Sequence, residues 1–241
     1  MRRTADDDET IRKRSGWVIP LTVFIVTLGL SAIFLALYLA PSGPGLFGKQ
    51  ISPTSRSDII SLSVGGRPFR IPANYLLYAD ARQGGMQKET ELFALLPGLT
   101  GWSNWNAEAF ASNAADSKVV YLTIHLDRAS MSEADKLSRV YLDYVLERQG
   151  QPGPFGLRQY RFREDTGYRN EDLFVGTSEK GPVVMRCVQA SREVSSPSCL
   201  RESLIAPGVA LSYRFKREQL PQWREIAAKV DKLMASFTLK P

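Results

Sequence analysis

The feature that most restricts this chain is a run of 24 residues, Trp17 to Ala40, without a charge. As a helix rising about 1.5 Å per residue it extends roughly 36 Å, against about 30 Å of bilayer hydrocarbon. A soluble helix of that length needs a polar face, and this one has none. Pro20 falls in the first turn, where a missing amide proton costs little. Trp17 and Tyr38 stand near the two ends, as interfacial aromatics do, and "PSGPG" after Ala40 cannot continue a helix. The run exceeds the roughly 7–15 residues of a signal-peptide core. It therefore reads as an uncleaved signal anchor over 17–40, in contact with the lipid bilayer.

Orientation follows from lysine and arginine near the span. Arg2, Arg3, Arg12, Lys13 and Arg14 precede it, and only Lys49 and Arg56 follow closely. Residues 1–16 are thus expected to be a cytoplasmic, disordered tail. Residues 41–57, rich in Pro, Gly and Ser, read as a linker, and residues 58–241 as an exported domain. The host reads as bacterial from the compact size and the lack of an N-x-S/T sequon. That makes the expected location the inner membrane, single-pass, with the domain in the periplasm. Ala32, Ala36 and Ala40 share one helix face, where small residues let two copies approach closely. The abundance of alanine in membrane helices accounts for the same pattern without self-association.

About 200 residues beyond the anchor suffice for one domain or two small ones; the break "GQPGPFG" is where two lobes would divide, and one domain is the expectation. The formal charge is +6. Outside the cytoplasm the better electrostatic partners are anionic headgroups or acidic surfaces rather than nucleic acid; the basic residues are scattered and not clustered, which reads as an ordinary solvated surface. Cys187 and Cys199 both fall in the exported part, so a disulfide is expected, holding a polar loop against a strand and contributing roughly 3 kcal/mol. Two cysteines and a single distant histidine do not make a zinc site, and no cofactor motif is present.

The exported part reads as strands in consecutive hairpins with two helices set apart, an α+β domain built on an antiparallel sheet. "IISLSVGGRPFRIP" is a hairpin turned by Gly65-Gly66, and 72–87 an irregular connection. "TELFALLPGL" carries a short strand. "KVVYLTIHLDR" is the clearest strand, with Val120, Leu122, Ile124 and Leu126 on one face and Val119, Tyr121, Thr123 and His125 on the other. Residues 130–150 read as an amphipathic helix with a capping box at Ser130 or Ser132 and a stop at Gly150. Strands follow at 156–163, 172–178, 183–189 and 208–216, the last with Val209, Leu211, Tyr213 and Phe215 inward. A second helix opens at Pro221, with Trp223, Ile226, Ala227, Val230, Leu233, Met234 and Phe237 on one face.

Chemistry is sparse. His125 is the only histidine, with Asp127 on the same strand face, but neither a GxSxG elbow nor a Ser-x-x-Lys pair accompanies it. The carboxylate neighbours Glu89/Glu91, Glu164/Asp165 and Glu171/Asp172 read as solvated turn residues. Among the aromatics, Trp102 and Trp105 in "GLTGWSNWNAEAF", with Tyr75, are candidate anchors for a protein partner or a glycan; core packing is their plainer explanation. Arg186 and Arg214 would point outward from neighbouring strands.

These observations favour a non-catalytic module, anchored in the membrane and docking an envelope protein, either as accessory of a membrane machine or as inhibitor of an incoming toxin. The alternatives are a domain binding a lipid, glycan or other small ligand and, behind it, a hydrolase without a recognisable motif. The layout is similar to that of single-span bacterial inner-membrane proteins, a resemblance of architecture that carries no site residues.

Overall fold

The structure, a computed structural model, describes residues 16–39 and 50–238, and no side chain of 37–39. Helix α1 (Val18–Leu39) has 22 residues, and its segment Val18–Ala36 is long and apolar enough to cross a membrane by length and composition. A signal sequence would meet the same test. Most of the N-terminal tail, Ala40 and the linker up to residue 49 lie outside the described residues.

The chain from Ile51 onward is one compact unit. Strands β1 (Ile59–Val64) and β2 (Arg67–Pro72) form the expected hairpin, turned by Gly65 and Gly66 at φ 57° and 77°. Positive φ at both central residues is what a tight hairpin turn requires, and glycine supplies it without strain. A third strand, β3 (Gly85–Gln87), pairs in parallel with β1 and completes a small sheet. In sequence this segment reads as irregular, because three residues show no alternation.

The large sheet is built from β4 (Glu89–Leu95), β5 (Val119–Leu126), β6 (Gln151–Pro152), β7 (Arg158–Arg161), β8 (Glu171–Ser178), β9 (Gly181–Val188), β10 (Ser198–Ala206) and β11 (Val209–Lys216). Its order is β4-β5-β11-β10-β9-β8-β7-β6, antiparallel throughout. Three helices accompany it: α2 (Ala107–Ala111), α3 (Glu133–Arg139) and α4 (Trp223–Phe237). The α+β class with antiparallel sheet and accompanying helices is thus the one the sequence indicates.

Alternation sets the main core. Val120, Leu122 and Ile124 of β5 and Leu211, Tyr213 and Phe215 of β11 are buried on one sheet face. Against them pack Trp223, Ile226, Val230, Met234 and Phe237, spaced three and four apart on α4, together with Val64, Phe69 and Ile71 of the small sheet. Burying each such side chain contributes roughly 1.5–3 kcal/mol.

Three elements differ from expectation. The helix expected over 130–150 is only α3, capped by the Ser132 hydroxyl accepting from the Asp135 amide at 3.1 Å. Beyond it the backbone is captured by 161–163: the Leu146 amide donates to the Arg161 carbonyl and the Arg163 amide to that of Tyr144, both at 2.9 Å. Tertiary pairing here outweighs helix propensity. Second, β10 occupies a segment without apolar alternation, because Arg201 stands on its core face. Third, the disulfide does not clip a loop to a strand. Cys187 and Cys199 are bonded directly across the β9–β10 ladder, both fully buried. Leu126, expected on the buried face of β5, is exposed at the strand end.

Candidate functional site: an open trough on the sheet

The sheet face turned away from α4 is covered at both ends and open between them. One cross-strand row describes it: Phe93, Tyr121, Arg214, Leu200, Arg186, Leu173 and Tyr160 stand opposite one another on successive strands from β4 to β7. At the β4 end, Phe93 and Val119 are buried with Leu77 and with Phe110 from α2. At the β7 end, Leu173 and Tyr160 are buried with Val145, Phe162 and Val184, with Leu137 and Tyr141 from α3 and the turn after it packed alongside.

Between these two clusters lies a trough of about 520 Å³. Its floor is the outward face of β5, β11 and β10. Thr123 faces Ser212, Tyr121 faces Arg214, Arg214 faces Leu200, and Lys216 faces Ser198. One rim is the loop after α2, where the Ser117 hydroxyl donates to the Ser112 carbonyl at 2.9 Å. The loop spanned by the disulfide fastens to that rim, the Ser196 hydroxyl donating to the Asn113 carbonyl at 2.9 Å. On the α3 side the trough is lined by Leu200, beyond which Lys136 is bonded to Glu202.

The charges divide into two kinds. Around the sheet, most half-buried or buried cations have carboxylates: Arg186 with Glu171 at 2.8 Å, Arg201 with Glu133 at 2.7 Å, Arg217 with Asp172 at 2.5 Å, and Lys136 with Glu202. The two cations of the trough do not. Arg214 is exposed and makes no hydrogen bond or ion pair among the described residues. Lys216 donates to two neutral oxygens, the Asn113 side-chain carbonyl at 2.7 Å and the Ser196 carbonyl at 3.2 Å. Burial without a compensating anion pushes the Lys216 ammonium below its usual range. Burial likewise pushes the Tyr121 phenol up. At the far side Glu91 accepts from the Tyr78 hydroxyl at 3.5 Å. Burial first, and Glu91 second, raise Tyr78.

The residues singled out in sequence are not gathered into one site. Tyr75 is half-buried against the main core, its hydroxyl donating to the Leu99 carbonyl at 3.0 Å and its ring edge-on to Phe237 at 5.2 Å. Trp102 is half-buried against the Phe93 cluster that forms one end of the trough. Trp105 is 99% exposed, on a turn fixed by reciprocal bonds between Ser103 and Asn106. Arg186 and Arg214 share the outward face, but their strands are not neighbours: β10 lies between, and Leu200 stands opposite both. His125 faces Glu89 across the ladder, and the buried Oδ2 of Asp127, without a hydrogen bond among the described residues, lies 3.8 Å from the Lys136 ammonium. Glu171 and Asp172 are held by Arg186 and Arg217 and do not converge on a cleft.

Sequence reasoning missed the trough itself. The polar faces of β5 and β11 are legible as Tyr121-Thr123 and Ser212-Arg214-Lys216. That these strands are adjacent, with α2 and α3 leaving their outward face bare, is a property of the topology.

No family model and no curated protein matches the chain. Two solved structures resemble it. An immunity protein of the Stenotrophomonas maltophilia type IV secretion system superposes with a TM-score of 0.55 at 17% identity, over 80% of this chain and 100% of that one. The Neisseria meningitidis iron-regulated outer membrane lipoprotein FrpD gives 0.48 at 15% identity, over 79% of this chain and 97% of that one. The first of these likenesses shows that the fold is shared.

Proposed function

We propose that this chain is a non-catalytic protein-binding module of the cell envelope, held by α1 in the inner membrane with its domain outside the cytoplasm, and that it neutralises a protein which reaches the envelope. The observation that carries the reading is the open trough: a bare central sheet face, bounded by two packed clusters, with two cations that have no carboxylate among the described residues. A sheet face left bare between covered ends is accessible to a partner, and its mixture of Tyr121 and Leu200 with polar side chains is the mixed character of a non-obligate protein interface. The anchor supports a fixed station at the membrane, and the excess of lysine and arginine before it supports the orientation. The fold shared with an immunity protein supports the neutralising role. A binding domain for a small ligand would favour an enclosed, mainly apolar pocket; the trough is open and polar along its floor.

The test is genetic. Cells lacking the gene, grown in contact with an otherwise identical parent, should be outcompeted, and the full-length chain supplied in trans should protect them. A Thr123→Trp, Ser212→Trp chain, whose indoles fill the trough, should not protect. Equal fitness of deleted and parental cells in contact would sink the neutralising role.

A further inference from the structure

We infer that the trough receives an acidic segment of the partner protein, in extended form, with two carboxylates placed over Arg214 and Lys216. This rests on the protein-binding reading above and names the chemistry of the partner.

Charge complementarity carries the inference. Four other cations around this sheet each have a carboxylate from the chain itself, so the fold supplies anions where its cations are confined. Half-buried Lys216 is the exception on this sheet, and Arg214, exposed and likewise without a carboxylate among the described residues, lines the same trough. The guanidinium of Arg214 has all its donors free among the described residues, and it accepts a carboxylate in a two-pronged bond. Lys216 uses two of the three ammonium donors on Asn113 and Ser196. The third remains for a partner, and an arriving carboxylate would offset the desolvation that now depresses this group.

The two residues are next-but-one on β11, so they stand about 7 Å apart along the strand. An extended segment places alternate side chains at the same interval. The matching pattern is therefore an acidic residue, any residue, and a second acidic residue. Leu200 and Tyr121, on either side of Arg214 in the cross-strand row, offer apolar surface along the two sides of such a segment. Glu91, at the β4 side, repels a longer acidic run and limits the match to the β11 end.

The experiment uses the full-length chain in its own cells. A photo-crosslinking residue is placed at Ser112 on the rim, and a second chain carries it at Trp105 as a reporter outside the trough. Adducts are purified and the attached partner peptide is sequenced by mass spectrometry. The expected Ser112 adduct carries two Asp or Glu residues two positions apart. Arg214→Glu should lower its yield roughly tenfold or more, because reversal sets like charges face to face; Arg214→Gln should lower it less. The Arg214 side chain bonds nothing among the described residues, and an intact Cys187–Cys199 bridge and unchanged melting temperature confirm that each variant is folded. Changing the partner's two acids to lysine one at a time should restore the adduct to Arg214→Glu for the acid that lies over position 214, and not for the one over Lys216. A Ser112 adduct whose peptide lacks carboxylates, or whose yield is indifferent to Arg214→Glu, overturns the inference and leaves the protein-binding reading standing. A partner captured from Trp105 alone overturns the trough as its seat. No adduct from either position overturns both.

Discussion

Removing the Glu133 side chain should destabilise the domain more than almost any other single change near the trough. Glu133 opens α3, and its carboxylate accepts from Arg201 Nε at 3.0 Å, from Arg201 Nη2 at 2.7 Å and from the Val184 amide at 2.9 Å. The side chains of Arg201 and Glu133 are 7% and 11% exposed. Burial alone acts to lower Arg201, and Glu133 with Tyr213 outweighs it, holding the guanidinium above its usual range. Glu133→Ala leaves that guanidinium with only the Tyr213 hydroxyl at 3.1 Å, and leaves a backbone donor unpaired. Stranding a buried charge costs about 3–5 kcal/mol, a large part of the roughly 5–15 kcal/mol that holds a domain together. Urea unfolding of the full-length chain in nanodiscs, followed by tryptophan fluorescence, measures it. Trp223, 1% exposed in the core, supplies a signal that changes on unfolding. Because the cost is that of an unpaired charge, a Glu133→Leu, Arg201→Met, Tyr213→Phe triple variant should recover to within about 2 kcal/mol of the parent. A Glu133→Ala loss below about 1 kcal/mol would show the pair to be solvated. A triple variant as unstable as the single one would show that packing, not charge, is at stake. In either case α3 would not be held to the sheet as described.

Three further outcomes follow from the packing. Gly176→Ala should cost about 1–3 kcal/mol, because a Cβ there overlaps the Trp223 ring; adding Trp223→Phe should return part of it, read as urea midpoints. The Cys187→Ala, Cys199→Ala chain should lose about 3 kcal/mol by the same assay, from a bridge spanning a sequence separation of 12. Tyr213, raised by burial from the usual 10.0 to about 12 with Arg201 opposing, contributes stability that is full below pH 10 and is lost as pH rises toward 12. Stability should therefore fall by up to about 1.4 kcal/mol per pH unit from this group across that window, and Tyr213→Phe should flatten the decline in a pH series of urea melts.

The sequence foretells elements whose side chains obey one strong period. The hairpin at 59–72, β5, β11 and α4 each repeat apolar residues at two, or at three and four, and bury the expected face apart from Leu126 at the end of β5. Where a buried polar group interrupts the period, the element vanishes from view: Arg201 hides β10 in this way. The shortening of the helix to α3 depends on a backbone pairing with 161–163, which no local pattern reports. Strand order was equally hidden, so Arg186 and Arg214 read as neighbours although β10 separates them. The candidate site lies on the far side of that gap. Its residues were legible singly as outward and polar, whereas the trough arises from which strands adjoin and which stretch of the sheet the helices leave bare. Of the aromatic candidates, only placement in the fold separates Tyr75, half-buried against the core, from Trp105, fully presented to solvent.

The most direct test of the protein-binding function is co-purification from living cells. A C-terminally tagged full-length chain and its Thr123→Trp, Ser212→Trp counterpart would be crosslinked in place, and the recovered partners quantified side by side. A single stoichiometric partner with the parent, lost when the trough is filled while the variant remains folded and in the membrane, is the predicted result. Recovery of the same partner in equal amount from the filled variant would contradict the assignment of function to this face.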